Sequence, residues 1–391
     1  MSEVRVKTIV RNVTEKSTGE LLPFMGLEDI ESGTGRLIPE ELSFKAATDA
    51  LCHRAGDVLF SKCRPYLAKS YLPCNAGTAT GEMLVLRPGP EVDPKFLFYL
   101  TFSSPWIDWA NTTSYGTKMP RTSWEALGEH RFWLPSVSEQ RKIVTYLDRI
   151  TAKIDRLIVA NNAMIKLAAV RPKAYVDEAL SSAARLLPLK SAVRYREGPG
   201  IMAADFRETG VPLIRVAGLK GRSASLAGCN YLDEHKARTI WRKSRVRLGD
   251  YLLSASASTG QVSVVDSSEL VGAIPYTGII ILRPAASSVD MRYIEAVLAS
   301  TSFLDQIDQL KAGMAMQHFG PTHLSQVRIL WVDERKQIEV GNMYGKLLEQ
   351  AADISSRITR VVDLLRERKS SVITAAVTGQ LDLATARGVD G

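Results

Sequence analysis

The residues of this chain whose types and spacing suit a chemical task are basic side chains interleaved with aromatic ones, and the task is holding a polyanion. Lys62, Arg64 and Lys69 stand with Tyr66 and Tyr71 among them, and no acid occurs between Asp57 and Glu82. From Arg207 to Arg247 ten basic residues face three acidic ones, which is almost the whole of the net charge of +8. Clustered Lys and Arg neutralise phosphates and release their counterions. A solvated coat of cations would account for either cluster alone. Recurrence in both halves of the chain favours the polyanion.

Groups that would carry catalysis do not assemble. The sequence holds no phosphate loop ending in Gly-Lys-Ser/Thr, no Gly-x-Gly-x-x-Gly, no His-Glu-x-x-His and no Gly-x-Ser-x-Gly. The Asn/Asp-Pro-Pro-aromatic motif of adenine-amino methyltransferases is also missing. His53, His130, His235, His318 and His323 are dispersed, and the closest pair, His318 and His323, has Arg121 and Ala126 as counterparts in the other half, so both read as polar loop residues. Cys52, Cys63, Cys74 and Cys229 form no Cys-x-x-Cys pair and read as free, buried thiols of a reducing, cytoplasmic protein. The expectation is a chain with no metal, no cofactor and no catalysis of its own.

The elements that must position the basic clusters follow from an internal repeat. Pro23-Phe24-Met25 matches Pro212-Leu213-Ile214, GDVLFS from Gly56 matches GDYLLS from Gly249, and Leu86-Arg87-Pro88 matches Leu282-Arg283-Pro284. The offset then holds at 197, from Val92-Asp93 with Val289-Asp290 to Arg131 with Arg328, after which two lost residues would set Glu139 and Ile143 against Glu334 and Ile338. Each copy of a 391-residue chain, 45% hydrophobic and 24% charged, is long enough for its own core. Each reads as short strands, then a helix over Pro94 to Ser103 or Met291 to Asp308, a loop opening at Gly116 or Gly313, a further strand and a long helix. The longest apolar run, Val271 to Leu282, is broken by Gly272, Pro275, Thr277 and Gly278, so no membrane span is expected, and the charged N-terminus does not read as a signal peptide.

The long helices carry stripes that step by four and three. The first runs Ile143, Leu147, Ile150, Ile154, Leu157, Asn161, Met164 and Ala168, and the second Leu347, Ala351, Ile354, Ile358, Val361, Leu365, Arg368, Val372 and Ala375. Two such stripes predict helices of about 30 residues, roughly 45 Å, that pack on each other. Asn161 either fixes their register or lies where the seam is wet, and Pro172 is expected to kink or end the first helix. The fold class is mixed α/β: two tandem α/β domains related by a pseudo-two-fold repeat, with two long helices packed as an antiparallel coiled coil.

In these features the chain resembles the specificity subunit of type I restriction-modification systems. LPSVSEQRKIVTYLD, Leu134 to Asp148, looks like that family's entry to its first spacer helix, and RKSSVITAAVTGQLDL, Arg368 to Leu383, like the end of its second. WVDERKQIEV departs from the pattern at the second junction, with no proline and Glu-Arg-Lys-Gln in place of Glu-Gln. The resemblance implies target-recognition domains at 1–136 and 188–333, a central spacer helix at 137–187 and a distal helix and tail at 334–391. It implies a bipartite double-stranded DNA target, two methyltransferase subunits, restriction and translocase subunits held through them, and S-adenosylmethionine, ATP and Mg on those partners. For base readout we expect Tyr115, Thr117, Lys118 and Arg121 in the first copy and Gln317 and His318 in the second. For the phosphate backbone we expect Lys62, Arg64 and Lys69, beside Tyr66, and Arg222, Lys243 and Arg245. The competing readings are a degenerate methyltransferase or nuclease, which would bind S-adenosylmethionine alone, and a helical scaffold for proteins, indifferent to DNA.

Overall fold

The computed structural model describes residues 3–181, 185–255, 261–311 and 319–381. The chain divides into two compact units, Met1–Asn162 with the segment from Thr359 onward, and Ala163–Ile358. Each unit is thus a globule joined by parts of both long helices.

In the first unit Glu3–Arg5 pairs antiparallel with Arg131–Trp133. A four-stranded antiparallel sheet runs in the order Val10–Val13, Met83–Pro88, Val58–Ser61, Ser70–Tyr71. Strand alternation puts Val58, Phe60, Leu84 and Leu86 on one face, in a core shared with Phe96, Leu97 and Trp106. The opposite face sends Leu59, Met83 and Val85 into a smaller core with Met25, Ile30 and Ala79. A central strand buried on both faces is why VLFS and MLVL read as continuous apolar runs. The second unit repeats this with Val193–Glu197, Ile279–Pro284, Tyr251–Ser254 and Val262–Val264.

The second sheet is where the copies diverge. Leu22–Met25 and Val211–Ile214 each make a parallel pair, with Gly77–Ala79 and Ile274–Pro275. The first copy adds Phe44–Lys45 and Leu51–His53 at the two edges, whereas the second adds Asn230–Leu232 and then Phe206–Arg207 on one side only.

One buried ion pair recurs in both copies. Asp57 accepts from Arg87 Nε and Nη2 at 2.7 Å each, and Asp250 accepts from Arg283 at 2.7 and 2.6 Å. Each carboxylate also accepts from the backbone N–H three residues before it, Arg54 and Arg247. These four residues are the Gly-Asp and Leu-Arg-Pro matches of the repeat.

The long helices span Val137–Leu180 and Glu334–Val377, 44 residues each, about 66 Å at 1.5 Å per residue. They are longer than expected, and the first runs through Pro172, which is buried, rather than ending there. Their bounds keep the 197-residue offset without loss, which corrects the alignment at the second junction. Gln337, not the Glu334 neighbourhood, is the counterpart of Gln140. Gln140 accepts from Asp93 N–H and donates to the Pro135 and Glu91 carbonyls; Gln337 accepts from Asp290 N–H and donates to Val332. Val340, fully buried, takes the place of Ile143, and Ile338 is exposed.

The stripes are also shifted. Leu157, Met164 and Val361 are exposed, as is Arg368, while the inward positions are Ile158, Ile165, Val362 and Lys369. A 3.6-residue helix drifts against a strict seven-residue pattern, and a four-step replaces a three-step after Ile154 and Ile358. Asn161 donates to its own helix, at the Leu157 carbonyl. The expected helix from Met291 to Asp308 is two, Met291–Ala299 and Thr301–Lys311, broken where Ser300 turns extended. All four cysteines are free, but only Cys63 is buried; Cys74 is exposed and Cys52 and Cys229 are half-buried.

In each unit a helix of the globule starts against the end of the long helix from the other copy. Ser104 N–H donates to Thr374 Oγ1 at 3.0 Å in the first unit, and Thr301 N–H donates to Asp177 Oδ1 at 2.8 Å in the second, positions again 197 apart. Val372, Ile373, Ala376 and Val377 complete the first main core, and Val176 and Leu180 the second. The start of one helix and the end of the other therefore share each unit, the antiparallel arrangement read from the stripes.

Two outcomes follow from this packing. Gln140→Ala and Gln337→Ala each strand buried backbone groups, so each should cost about 1–3 kcal/mol in urea unfolding, with Gln140→Glu no better than alanine. His53 and His130 are buried and burial pushes both pKa values down to about 4, with Asp57 opposing at His53. The folded state holds them neutral, so their contribution is complete above the ordinary value near 6.5 and is lost as pH falls toward about 4, at most about 3 kcal/mol each. Unfolding midpoints at pH 7 and pH 4.5 measure this, and His130→Phe should flatten the dependence.

Candidate nucleic-acid interface

The two basic-aromatic segments of the first copy, some 50 residues apart in sequence, form one surface. Strand Val58–Ser61 carries the chain out of the core at Lys62, whose N–H donates to the Glu82 carbonyl. Thr122 N–H donates to the Lys62 carbonyl at 3.0 Å, and Arg64 N–H to the Pro120 carbonyl at 2.7 Å. Tyr115 and Arg121 exchange both backbone bonds, at 3.0 and 2.9 Å, which closes 115–121 into a hairpin. Gly116 turns it at φ +91°, a left-handed conformation that a side chain strains. Tyr66, Tyr115, Lys118, Met119, Thr117 and Arg64 are exposed on this surface, and Lys62 and Lys69 are half-buried.

The backbone under it is strained. Arg64 and Ala68 are the two non-glycine residues with positive φ among those described, at +50° and +45°, and they flank the helical turn Pro65–Leu67. A left-handed L-residue costs about 1–2 kcal/mol and persists where its neighbours over-determine it. Here the fixing contacts are Gly33 N–H on the Ala68 carbonyl and Lys69 Nζ on the Leu27 carbonyl at 2.6 Å. Arg121 is braced by Glu82 at 2.9 Å, the acid that bounds the basic segment in sequence. Met119 and Glu82 are not among the site residues expected from the sequence; the acid-free run ending at Glu82 was the available signal.

In the second copy Phe319 N–H reaches the Ala255 carbonyl as Thr122 reaches Lys62. Gln317 and His318, the expected readers there, lie outside the described residues. Lys243 is exposed; Arg245 is half-buried and donates through Nε to the Gly272 carbonyl. Arg222 is engaged by Glu295 at 3.2 and 3.3 Å and by Glu349 at 3.4 Å. Glu295 is buried, which raises its pKa against the opposing pull of Arg222. His323 is a cap, accepting from Gly320 N–H at the start of Pro321–Leu324. Among the described residues no three His, Cys, Asp or Glu side chains gather to hold a metal, and no helix is long and apolar enough to cross a membrane.

The hairpin's integrity is directly measurable. Gly116→Val should speed hydrogen exchange at the Tyr115 and Arg121 amides while leaving the global unfolding midpoint nearly unchanged, because the turn lies outside both cores.

No protein-family model matches the chain. Over 141 residues it is 26% identical to the specificity subunit of the type I restriction enzyme EcoDI from Escherichia coli, a match spanning 35% of this chain and 31% of that relative. In fold it matches a chain from a study of the assembly and conformational transition of the type I R-M system, with TM-score 0.76 and 19% identity over 97% of this chain and 98% of the other. It also matches the HsdS subunit from Thermoanaerobacter tengcongensis, with TM-score 0.53 and 18% identity over 97% of each. The resemblance read from the residues therefore stands: the chain is similar to type I specificity subunits in sequence over about a third of its length and in fold over nearly all of it.

Proposed function

We propose that this chain is the DNA-recognition subunit of a type I restriction-modification complex. Its domains at 1–136 and 188–333 each read one half of a bipartite target, and the long helices set the unread gap between the halves. It directs adenine-N6 methylation and restriction by cytoplasmic partners, two methyltransferase subunits and the restriction subunits they hold. S-adenosylmethionine, ATP and Mg belong to those partners, and this chain contributes position.

The observation that carries the reading is the joining of the two basic-aromatic segments of the first copy into one exposed surface by the 62–64 and 120–122 backbone bonds. Arg64 and Lys62 suit phosphate oxygens, which fix register without reading sequence. The hairpin offers Tyr115, Thr117, Lys118 and Arg121 to base edges, where hydroxyl, ammonium and guanidinium groups discriminate base pairs in the major groove. The excess of cations between Arg207 and Arg247 supplies a second phosphate-binding region, with Lys243 exposed and Arg245 beside it.

The test is selection of bound duplexes from a random pool by the chain assembled with its methyltransferase subunits. Two short half-sites at one spacing are expected. Arg64→Ala should weaken binding to all sequences and reduce the slope of log K against log salt by about 1, whereas exchange of residues 115–121 should change one half-site alone. Lys243→Glu with Arg245→Glu should abolish selection. Unaltered assembly and function in that double variant would support the protein scaffold instead, and S-adenosylmethionine binding by the isolated chain would support the enzyme.

A further inference from the structure

In each unit an arginine from the loop beside the parallel strand pair reaches a carboxylate on a long helix. Arg36 Nη2 lies 2.6 Å from Asp155 Oδ2, and Lys369 Nζ, from the other long helix, lies 2.9 and 3.0 Å from the same carboxylate. Asp155 and Lys369 are mostly buried while Arg36 is about half exposed. In the second unit Arg222 bridges Glu295, on the globule's helix, and Glu349, on a long helix. The two arginines hold comparable places in the repeat, each in the loop between two strands of the second sheet, Leu22–Met25 and Phe44–Lys45 in the first copy and Val211–Ile214 and Asn230–Leu232 in the second, although their carboxylates do not align.

The Arg36 loop also touches the exposed basic surface. Its Gly33 N–H bonds the Ala68 carbonyl, and Leu27, at its start, receives Lys69 Nζ. Glu31 N–H on the Arg36 carbonyl and Ile38 N–H on the Asp29 carbonyl hold the loop in shape. Gly35 admits the Phe98 ring against its backbone, where a Cβ would collide. One rigid loop thus connects the left-handed turn that presents Arg64 and Tyr66 to the helix pair of its unit. Arg222 is similarly fixed, its carbonyl accepting from Val264 N–H at 2.6 Å.

We propose that Arg36 and Arg222 are positioning residues, each setting the angle at which its recognition surface sits on the helix pair of its own unit. The inference rests on the proposed DNA-recognition function. An ion pair with an exposed arm adds little to stability because solvent screens it. What such an arm contributes is direction: a guanidinium bonded to a carboxylate on a helix removes a rocking freedom that apolar packing leaves open. A recognition surface free to rock meets its half-site at the native spacing less often and tolerates neighbouring spacings.

The experiment measures methylation by the full complex on duplexes carrying both half-sites at the native gap and at gaps one base pair shorter and longer. Arg36→Gln should lower the rate at the native gap by roughly ten- to a hundred-fold, the scale of a small misplacement, and raise the relative rate at the altered gaps with half-site sequences unchanged. Arg36→Lys should recover much of the loss, whereas Asp155→Asn, which also unpairs the mostly buried Lys369, should cost more than Arg36→Gln alone. Arg222→Gln should shift the gap preference in the same way from the other half-site, with an added loss of stability because buried Glu295 is left unpaired, so its rate is compared per folded complex. Native gap preference in Arg36→Gln, with loss of rate only in proportion to loss of folded protein, would overturn the inference. A wild-type complex that methylates no bipartite duplex would overturn the proposed function and this inference with it.

Discussion

Neither globule buries its apolar surface with consecutive residues of its own copy. The first needs Val372, Ile373, Ala376 and Val377 from the far end of the chain to close the core around Phe96, Leu97 and Trp106, and the second needs Val176 and Leu180. A helix end that is both core and cap, through Thr374 on Ser104 and Asp177 on Thr301, cannot slide without exposing apolar area and stranding an N–H. Two such ends, each anchored opposite the start of the other helix, leave only the antiparallel arrangement. The glutamines at the helix starts, Gln140 and Gln337, then lock each long helix to the strand before it and to the aspartate that caps the globule's helix.

The exposed surface of the first copy inherits its geometry from this frame. Strand Val58–Ser61, packed on both faces, fixes where Lys62 leaves the core; the 120–122 segment pairs against it; and the hairpin projects beyond. Strain at Arg64 and Ala68 is tolerated because the 26–38 loop holds the turn from one side and the strand from the other. Charge at the surface is therefore attached to rigid backbone, the condition under which cationic side chains can hold a nucleic acid in one register.

Much of this was legible in the residues. The Gly-Asp and Leu-Arg-Pro matches marked the Asp57–Arg87 and Asp250–Arg283 pairs, because a bidentate buried ion pair tolerates few substitutions. The strands VLFS and MLVL were visible because two-sided burial makes them uniformly apolar. The second junction was misaligned because Glu-Arg-Lys-Gln was matched by its acid, whereas the amide of Gln337 is what the fold uses. The stripe slipped by one residue at Leu157 and Val361, where exposed apolar side chains beside Ile158 and Val362 fit a heptad equally well. Pro172 misled because a proline in a long helix loses one hydrogen bond while tertiary packing around it supplies more. Engagement of Arg222 and Arg36 by carboxylates more than 70 residues away has no local signal at all.

The measurement that tests the account most directly is a map of N6-methyladenine in the host genome by long-read sequencing, with and without this chain, in the presence of the methyltransferase subunit proposed as its partner. The account predicts a two-part motif with a fixed unread gap that is methylated only when the chain is present. Methylation that is unchanged by removal of the chain, or that follows a single uninterrupted motif, would contradict it.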